Sequence, residues 1–212
     1  MADCCSGSCA ADGARVGPRF RRALWIALWV NLAMFIVEMA AGLHAGSMSL
    51  LADAIDFAGD TANYGISLVV LAMGALWRAR AAFVKGLSMG LFGVAVLGRT
   101  AWLAAAGASP EPFTMGAVAL LALCANVGVA VLLYAYREGD ANMRSVWLCS
   151  RNDAIGNAAV MLAALLVART GQAWPDLAVA AAMAMLALSS ALSVLRQSRA
   201  EMRAIASGGR AG

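Results

Sequence analysis

The stretch SLLADAIDFAGD, residues 49–60, places three carboxylates inside one of the most apolar parts of the chain. On a helix, positions three and four apart share one face, so Asp53, Asp56, Asp60 and the following Tyr64 form a single polar stripe. Such a stripe is ordinary on a solvated surface and costly in a membrane. Whether this helix lies in water or in a membrane therefore decides both the fold class and the role of the acids.

The composition of the whole chain places this helix in a membrane. Of 212 residues, 62% are hydrophobic and 13% are charged, and the mean hydropathy is +0.76. These values lie well outside those of soluble domains. A soluble enzyme is therefore excluded, and we expect the lipid bilayer to be the main surrounding of the chain.

Six apolar runs are long enough to cross a hydrocarbon core of about 30 Å, which takes about 20 helical residues. They are Ala23–Leu43, Ser47–Trp77, Ala82–Ala106, Phe113–Tyr136, Ser145–Ala168 and Asp176–Leu195. Short polar breaks separate them, two of which contain prolines. The sequence thus predicts an all-α membrane protein: a six-helix bundle over residues 23–196, an N-terminal tail over 1–22 and a short C-terminal tail over 197–212.

Arginine and lysine are concentrated on one side of the predicted bundle. They precede the first run and follow the second, fourth and sixth runs, whereas the opposite breaks contain only Arg169. Because short cytoplasmic segments carry the excess of these residues, both termini are predicted to be cytoplasmic. The net charge of +4 then reflects membrane topology, and nucleic acid is not expected as a partner.

A second polar stripe matches the first in depth. An ionised carboxylate near the bilayer centre costs several kcal/mol, so the acids must face the bundle interior, water or a cation. In the fifth run, CSRNDAIGN, Cys149, Asp153 and Asn157 are four residues apart. At 1.5 Å per residue, Asp60 lies about level with Cys149, and Asp56 with Asp153, to within about one helical turn.

Four side chains that converge from two helices can hold a transition-metal dication, and zinc is the commonest ion in tetrahedral sites. The predicted ligands are Asp56, Asp60, Cys149 and Asp153. Carboxylates also suit manganese and iron(II), while a thiolate favours zinc, cadmium and softer ions. The metal is expected as cargo, with no permanently bound cofactor. Asp53, Tyr64 and Asn157 are expected to support the ligands or to line the access path, with Asp53 towards the outer mouth.

Three further thiols lie in the N-terminal segment MADCCSGSCA, namely Cys4, Cys5 and Cys9. On the reducing side of the membrane, disulfides are not expected between them. They could capture a soft metal and pass it to the bundle, or they could be incidental residues of a flexible tail. The sequence leaves both interpretations open.

The segment NLAMFIVEMAAGLHAGSMSLLADAIDFAGD, residues 31–60, and the Cys149-x-x-x-Asp153 pair resemble the cation diffusion facilitator family of divalent metal/proton antiporters. The resemblance covers roughly residues 23–196. It implies that Asp56, Asp60 and Asp153 bind the transported ion and that Cys149 stands where members usually have His or Asp. It also implies metal efflux in exchange for protons by alternating access, and a homodimer.

Family members usually continue into a cytoplasmic metal-binding domain that aids dimerisation, and we expect that domain and its regulation to be absent here. The resemblance predicts an integral, multi-pass protein of the bacterial inner membrane that is not an enzyme. Two other hypotheses remain. An intramembrane aspartyl protease could use two membrane Asp residues. Such enzymes show a Gly-x-Gly-Asp motif, whereas this chain has only AGD at Asp60. A membrane metal sensor could bind the ion without moving it.

Overall fold

The computed structural model describes residues 18–69, 75–107, 110–135 and 141–208, with side chains for all of these except 67, 75, 78, 141–152, 207 and 208. Regular structure in this part of the chain is entirely α-helical. The helices are α1 Pro18–Ala45, α2 Met48–Val69, α3 Ala75–Ala106, α4 Pro112–Tyr134, α5 Ala141–Thr170 and α6 Trp174–Gly208. The predicted all-α bundle of six helices is confirmed, while its orientation in the membrane stays a prediction.

Five of the described helices, α1 and α3–α6, are long and apolar enough to cross a membrane. The sixth, α2, is the helix that carries Asp53, Asp56 and Asp60. It packs against α1, α3, α5 and α6, so most of its circumference meets protein. Enclosure by its neighbours allows α2 to keep three acids in the apolar layer without turning them towards lipid.

The predicted boundary between the second and third runs was wrong. Ser47–Trp77 was predicted as one span, whereas residues 75–77 already belong to α3. Residues 78–81, between these two predicted runs, were expected to form a polar break and are helical. A hydropathy pattern treats Arg and Lys as loop residues, but their long apolar stems allow a helix to continue while the charged ends reach polar surroundings. Arg80, for example, lies over the Trp77 ring at 5.3 Å from its centroid.

Other helices are also longer than the apolar runs predicted. The first helix begins at Pro18 instead of Ala23, α5 begins at Ala141 instead of Ser145, and α6 continues to Gly208. The segments predicted as tails, 1–22 and 197–212, therefore contain helical residues at their inner ends. Apolar runs mark only the membrane-embedded part of a helix, and its polar extensions give no hydropathy signal.

The turns after α1, α3 and α5 lie at one end of the bundle. Each helix is followed by a glycine with positive φ, namely Gly46 at 67°, Gly107 at 72° and Gly171 at 66°, a conformation that glycine adopts without steric cost. The backbone N–H of Glu111 donates to Ala45 O at 2.9 Å, which joins two of these turns. The tight turns keep consecutive helices antiparallel and adjacent.

At the same end, Asp176 of α6 fixes the start of α2. Its buried carboxylate accepts hydrogen bonds from Ser47 Oγ at 2.6 Å and Ser49 Oγ at 2.6 Å, and from the backbone N–H groups of Met48 at 2.8 Å and Ser49 at 3.1 Å. The first N–H groups of a helix have no partner within it, and an acid there also interacts favourably with the helix dipole. Asp176 thereby sets the position of the acidic helix relative to α6.

Candidate metal site

Asp60 is the centre of the polar contacts between α2 and its neighbours. It is 6% exposed, and its Oδ2 accepts a hydrogen bond from Tyr64 Oη at 3.2 Å. Its carboxyl group is also in hydrogen-bonding contact with the side chains of Asp153 and Asn63 and experiences the charge of Lys85. The structure thus brings an acid of α2 together with an acid of α5, while their role as metal ligands stays a prediction.

Asp60 contacts Asp153, whereas the predicted depths placed Asp60 level with Cys149 and Asp56 level with Asp153. The observed partner of Asp60 is thus one helical turn further along α5. The displacement is within the one-turn margin of that prediction. Side chains on a helix lean towards its N-terminus. Because α2 and α5 are antiparallel, the Asp60 side chain leans towards the α1–α2 turn and the Asp153 side chain leans the opposite way. The two carboxyl groups therefore approach each other.

The other members of the α2 stripe differ in their surroundings. Asp56 is half-buried and its charge acts on Glu38 of α1. Asp53 is 1% exposed and interacts with Glu38, while its place towards the outer mouth stays a prediction. Because Glu38 belongs to a different helix, spacing along α2 could not reveal this burial.

On α5, Asn157 is fully buried and its Nδ2 donates to Asp153 O at 3.1 Å. This bond leaves the Asn157 side chain beside the acid that contacts Asp60. Cys149 lies in α5 one turn before Asp153, but its side chain is outside the described residues. Cys4, Cys5 and Cys9 also lie outside them.

Among the described side chains, no group of three or more His, Cys, Asp or Glu residues is close enough to hold a metal ion. The described part of the predicted set is the Asp60–Asp153 contact, with Asp56 one turn away on α2. Two carboxylates in contact in an apolar interior repel each other unless a cation or a proton lies between them. Such a contact is therefore stable only with a proton or a cation beside it.

Two residues of this region, Lys85 and Glu38, were not predicted to contact the acids of α2. Lys85 was counted among the cytoplasmic cations that follow the second run, whereas it donates a hydrogen bond from α3 to Asn63 Oδ1 and acts on Asp60 through its charge. Glu38 is fully buried beside Asp53. Glu38 is the single acid of α1. An acid in an apolar helix is a signal of function or pairing in a membrane, but the partner helix cannot be read from spacing.

A cavity of about 690 Å³ lies between α2 and α3. Its walls are mainly apolar, with Gly59, Ala62, Met89 and Phe92 among them, and its two cations are Arg80 and Lys85. None of Asp56, Asp60 and Asp153 lines it. This cavity is therefore separate from the contact between the acids, on another face of α2.

The family model for the cation efflux transmembrane domain matches residues 24–202. The chain belongs to the cation efflux, or cation diffusion facilitator, family. Members of this family are membrane transport proteins and not enzymes, so the hypothesis of an intramembrane aspartyl protease is discarded.

Two curated bacterial proteins are similar to this member of the cation efflux family. The metal cation efflux system protein CzcD of Cupriavidus metallidurans is 25% identical over 189 residues, which are 84% of this chain and 60% of the relative. The cation efflux system protein CzcD of an Alcaligenes species matches with the same figures. The chain thus spans about three fifths of the length of these relatives.

Proposed function

We propose that this chain exports divalent transition-metal cations from the cytoplasm in exchange for protons. The observation that carries the proposal is the contact between Asp60 and Asp153, two acids from different helices in the interior of a membrane bundle. Family membership and similarity to a metal cation efflux system protein support a metal cation as cargo.

In this proposal the cargo is held by Asp56, Asp60, Cys149 and Asp153. Asp56 and Asp60 are separated by one turn on α2, and Cys149 and Asp153 by one turn on α5. Each helix then contributes two ligands, and four ligands suit zinc. Tyr64 supports this set through its hydrogen bond to Asp60, and Asn157 through its bond to the backbone of Asp153.

Proton exchange follows from the chemistry of buried carboxylates. Ligands must lose their protons to bind a metal, so a dication that enters the site releases protons. When the site opens to the other side, protons displace the metal and the protonated site returns. The ligands come from α2 and α5, so a relative movement of these helices changes both access and affinity, as alternating access requires.

Zn²⁺ is the proposed principal cargo, with Cd²⁺, Co²⁺, Fe²⁺ or softer metals as further candidates, because carboxylates and a thiol are present together. The inner membrane of a bacterium is the proposed location, in agreement with the bacterial origin of the relatives. A homodimer, and capture of metal by Cys4, Cys5 and Cys9, complete the proposal.

The test is zinc uptake into proteoliposomes that contain a fluorescent zinc indicator. Wild-type protein is expected to accelerate uptake, and Asp60→Asn to reduce it to the rate of protein-free liposomes. Cys124→Ser, a change at an exposed thiol of α4, is the matched control and is expected to transport as wild type. Wild-type activity in Asp60→Asn, or equal rates with and without protein, would refute the proposed function.

A further inference from the structure

A second pair of acids lies outside the proposed ligand set. Glu38 of α1 is 0% exposed and Asp53 of α2 is 1% exposed. The two carboxyl groups interact directly. Ionised carboxylates are acceptors only, so neither can donate a hydrogen bond to the other unless one of them keeps a proton.

The oxygens of this pair are not satisfied by the described part of the protein. Oε1 and Oε2 of Glu38 and Oδ2 of Asp53 accept no hydrogen bond of acceptable geometry from a described donor. The neighbouring charges that act on Glu38 are Asp53 and Asp56, both of them acids. Three buried acceptor atoms of two interacting carboxyl groups thus have no compensating donor or cation among the described residues. Leaving such atoms unpaired is costly in an apolar interior.

The Glu38–Asp53 pair lies closer to the α1–α2 turn than Asp60 does. Its member Asp53 belongs to the polar stripe of α2. At 1.5 Å per residue, Asp53 is about 8 Å from the start of α2, Glu38 about 10 Å from the end of α1, and Asp60 about 18 Å from the start of α2. Asp56 lies between the two levels, on the same face of the helix. The α1–α2 turn is on the side that the Arg and Lys distribution predicts to be outside.

A dication would neutralise both carboxylates at once. Two carboxylates offer up to four oxygen ligands, which suit Mn²⁺, Fe²⁺ and Zn²⁺. No thiol belongs to this pair, so it would hold soft ions less tightly than a set that includes Cys149. An ion that leaves Asp60 towards the outside would meet these oxygens next.

We propose that Glu38 and Asp53 form a second cation site, made of oxygen ligands, which the exported metal occupies between the Asp60 site and the outer surface. This inference rests on the proposed function for its direction of transport. The existence of the site does not depend on that direction, and it can be tested by binding alone.

The experiment counts Zn²⁺ bound to purified full-length protein by equilibrium dialysis and elemental analysis. The parent for all variants carries Cys4→Ser, Cys5→Ser and Cys9→Ser, so that tail thiols bind no metal. This parent is expected to bind two Zn²⁺ per chain. Adding Glu38→Gln and Asp53→Asn is expected to remove one, and adding Asp60→Asn instead is expected to remove the other.

Thr100→Val is the matched control, because Thr100 is a buried polar residue of α3 whose Oγ1 also has no described partner. It is expected to leave two Zn²⁺ bound. If the variant with Glu38→Gln and Asp53→Asn binds as many ions as the parent, the pair holds protons or water and the second site is refuted.

Asp60→Asn tests the second site without changing Glu38 or Asp53, so a folding defect of the double variant does not prevent a decision. One Zn²⁺ retained by Asp60→Asn supports the second site, and none retained refutes it. The proposed function fails separately, if Asp60→Asn binds as many ions as the parent.

Discussion

Asp60 of α2 and Asp153 of α5 place their carboxyl groups in direct contact, although 93 positions separate them in the sequence. The contact joins two antiparallel helices in the interior of the bundle, where like charges cannot stay adjacent without a cation or a proton. Tyr64 and Asn63 add hydrogen bonds to the Asp60 side. In the proposed mechanism, a metal that replaces the proton would couple binding to the relative position of α2 and α5.

Lys85 is expected to weaken metal binding. Its ammonium group acts on Asp60 by charge, so it repels a dication at the same carboxylate. Lys85→Met should therefore bind Zn²⁺ about three- to tenfold more tightly, a change of about 0.7–1.4 kcal/mol. Isothermal titration of the purified protein gives the affinity.

Arg80→Gln is the control for this change, because Arg80 is an exposed cation of the same helix and lines the same cavity. It should leave the Zn²⁺ affinity unchanged. If Lys85→Met binds Zn²⁺ no more tightly than wild type, repulsion by Lys85 is ruled out. A weaker affinity would instead assign Lys85 a positioning role through Asn63.

Cys149→His should change the order of metal preference. A thiolate favours Cd²⁺ and Hg²⁺, whereas an imidazole suits Zn²⁺ and Co²⁺. Competition of these ions with Fe²⁺ and Mn²⁺ for the purified protein measures the order in wild type and variant. Wild type should prefer the softer ions more strongly than Cys149→His does. An unchanged order would remove Cys149 from the ligand set.

Asp176→Ala should destabilise the bundle. The change removes the acceptor of four hydrogen bonds at the start of α2 and leaves buried donors unpaired. We expect a loss of about 2–4 kcal/mol in the free energy of unfolding, measured by denaturant titration in detergent.

Asp176→Asn keeps an acceptor oxygen and should cost less than Asp176→Ala. Glu201→Gln, on the same helix, is the control and should change the free energy of unfolding by less than about 0.5 kcal/mol. Equal stability of Asp176→Ala and wild type would show that the cap does not hold α2 in place.

Glu111 should contribute stability that acid removes. Hydrogen bonds from Thr114, through its side chain and its backbone N–H, and from the Phe113 N–H keep the pKa of Glu111 below its usual 4.5. The lowered pKa means that the contribution is complete above about pH 4.5 and is lost as the pH falls through the folded-state value. Glu111→Gln does not titrate, so its Tm should fall less than that of wild type between pH 6 and pH 3.5. Equal falls in Tm would contradict this role.

The features that follow from local sequence were predicted, and those that depend on helix neighbours were not. Apolar runs predicted six helices, and four-residue spacings predicted the stripes that contain Asp60 and Asp153. The Glu38–Asp53 pair and the Asp176 cap join residues of different helices, and no periodicity within one helix specifies such a partner. Lys85 was counted only as a cytoplasmic cation, because its contact with Asn63 of α2 also joins two helices.

The most direct test of the account is zinc flux in proteoliposomes under an imposed pH gradient. We expect an outward-directed proton gradient to drive Zn²⁺ into the vesicles, reversal of the gradient to drive Zn²⁺ out, and both effects to vanish in Asp60→Asn. Zinc flux that is indifferent to the gradient, or that keeps its response in Asp60→Asn, would contradict exchange of metal for protons at the contact between α2 and α5.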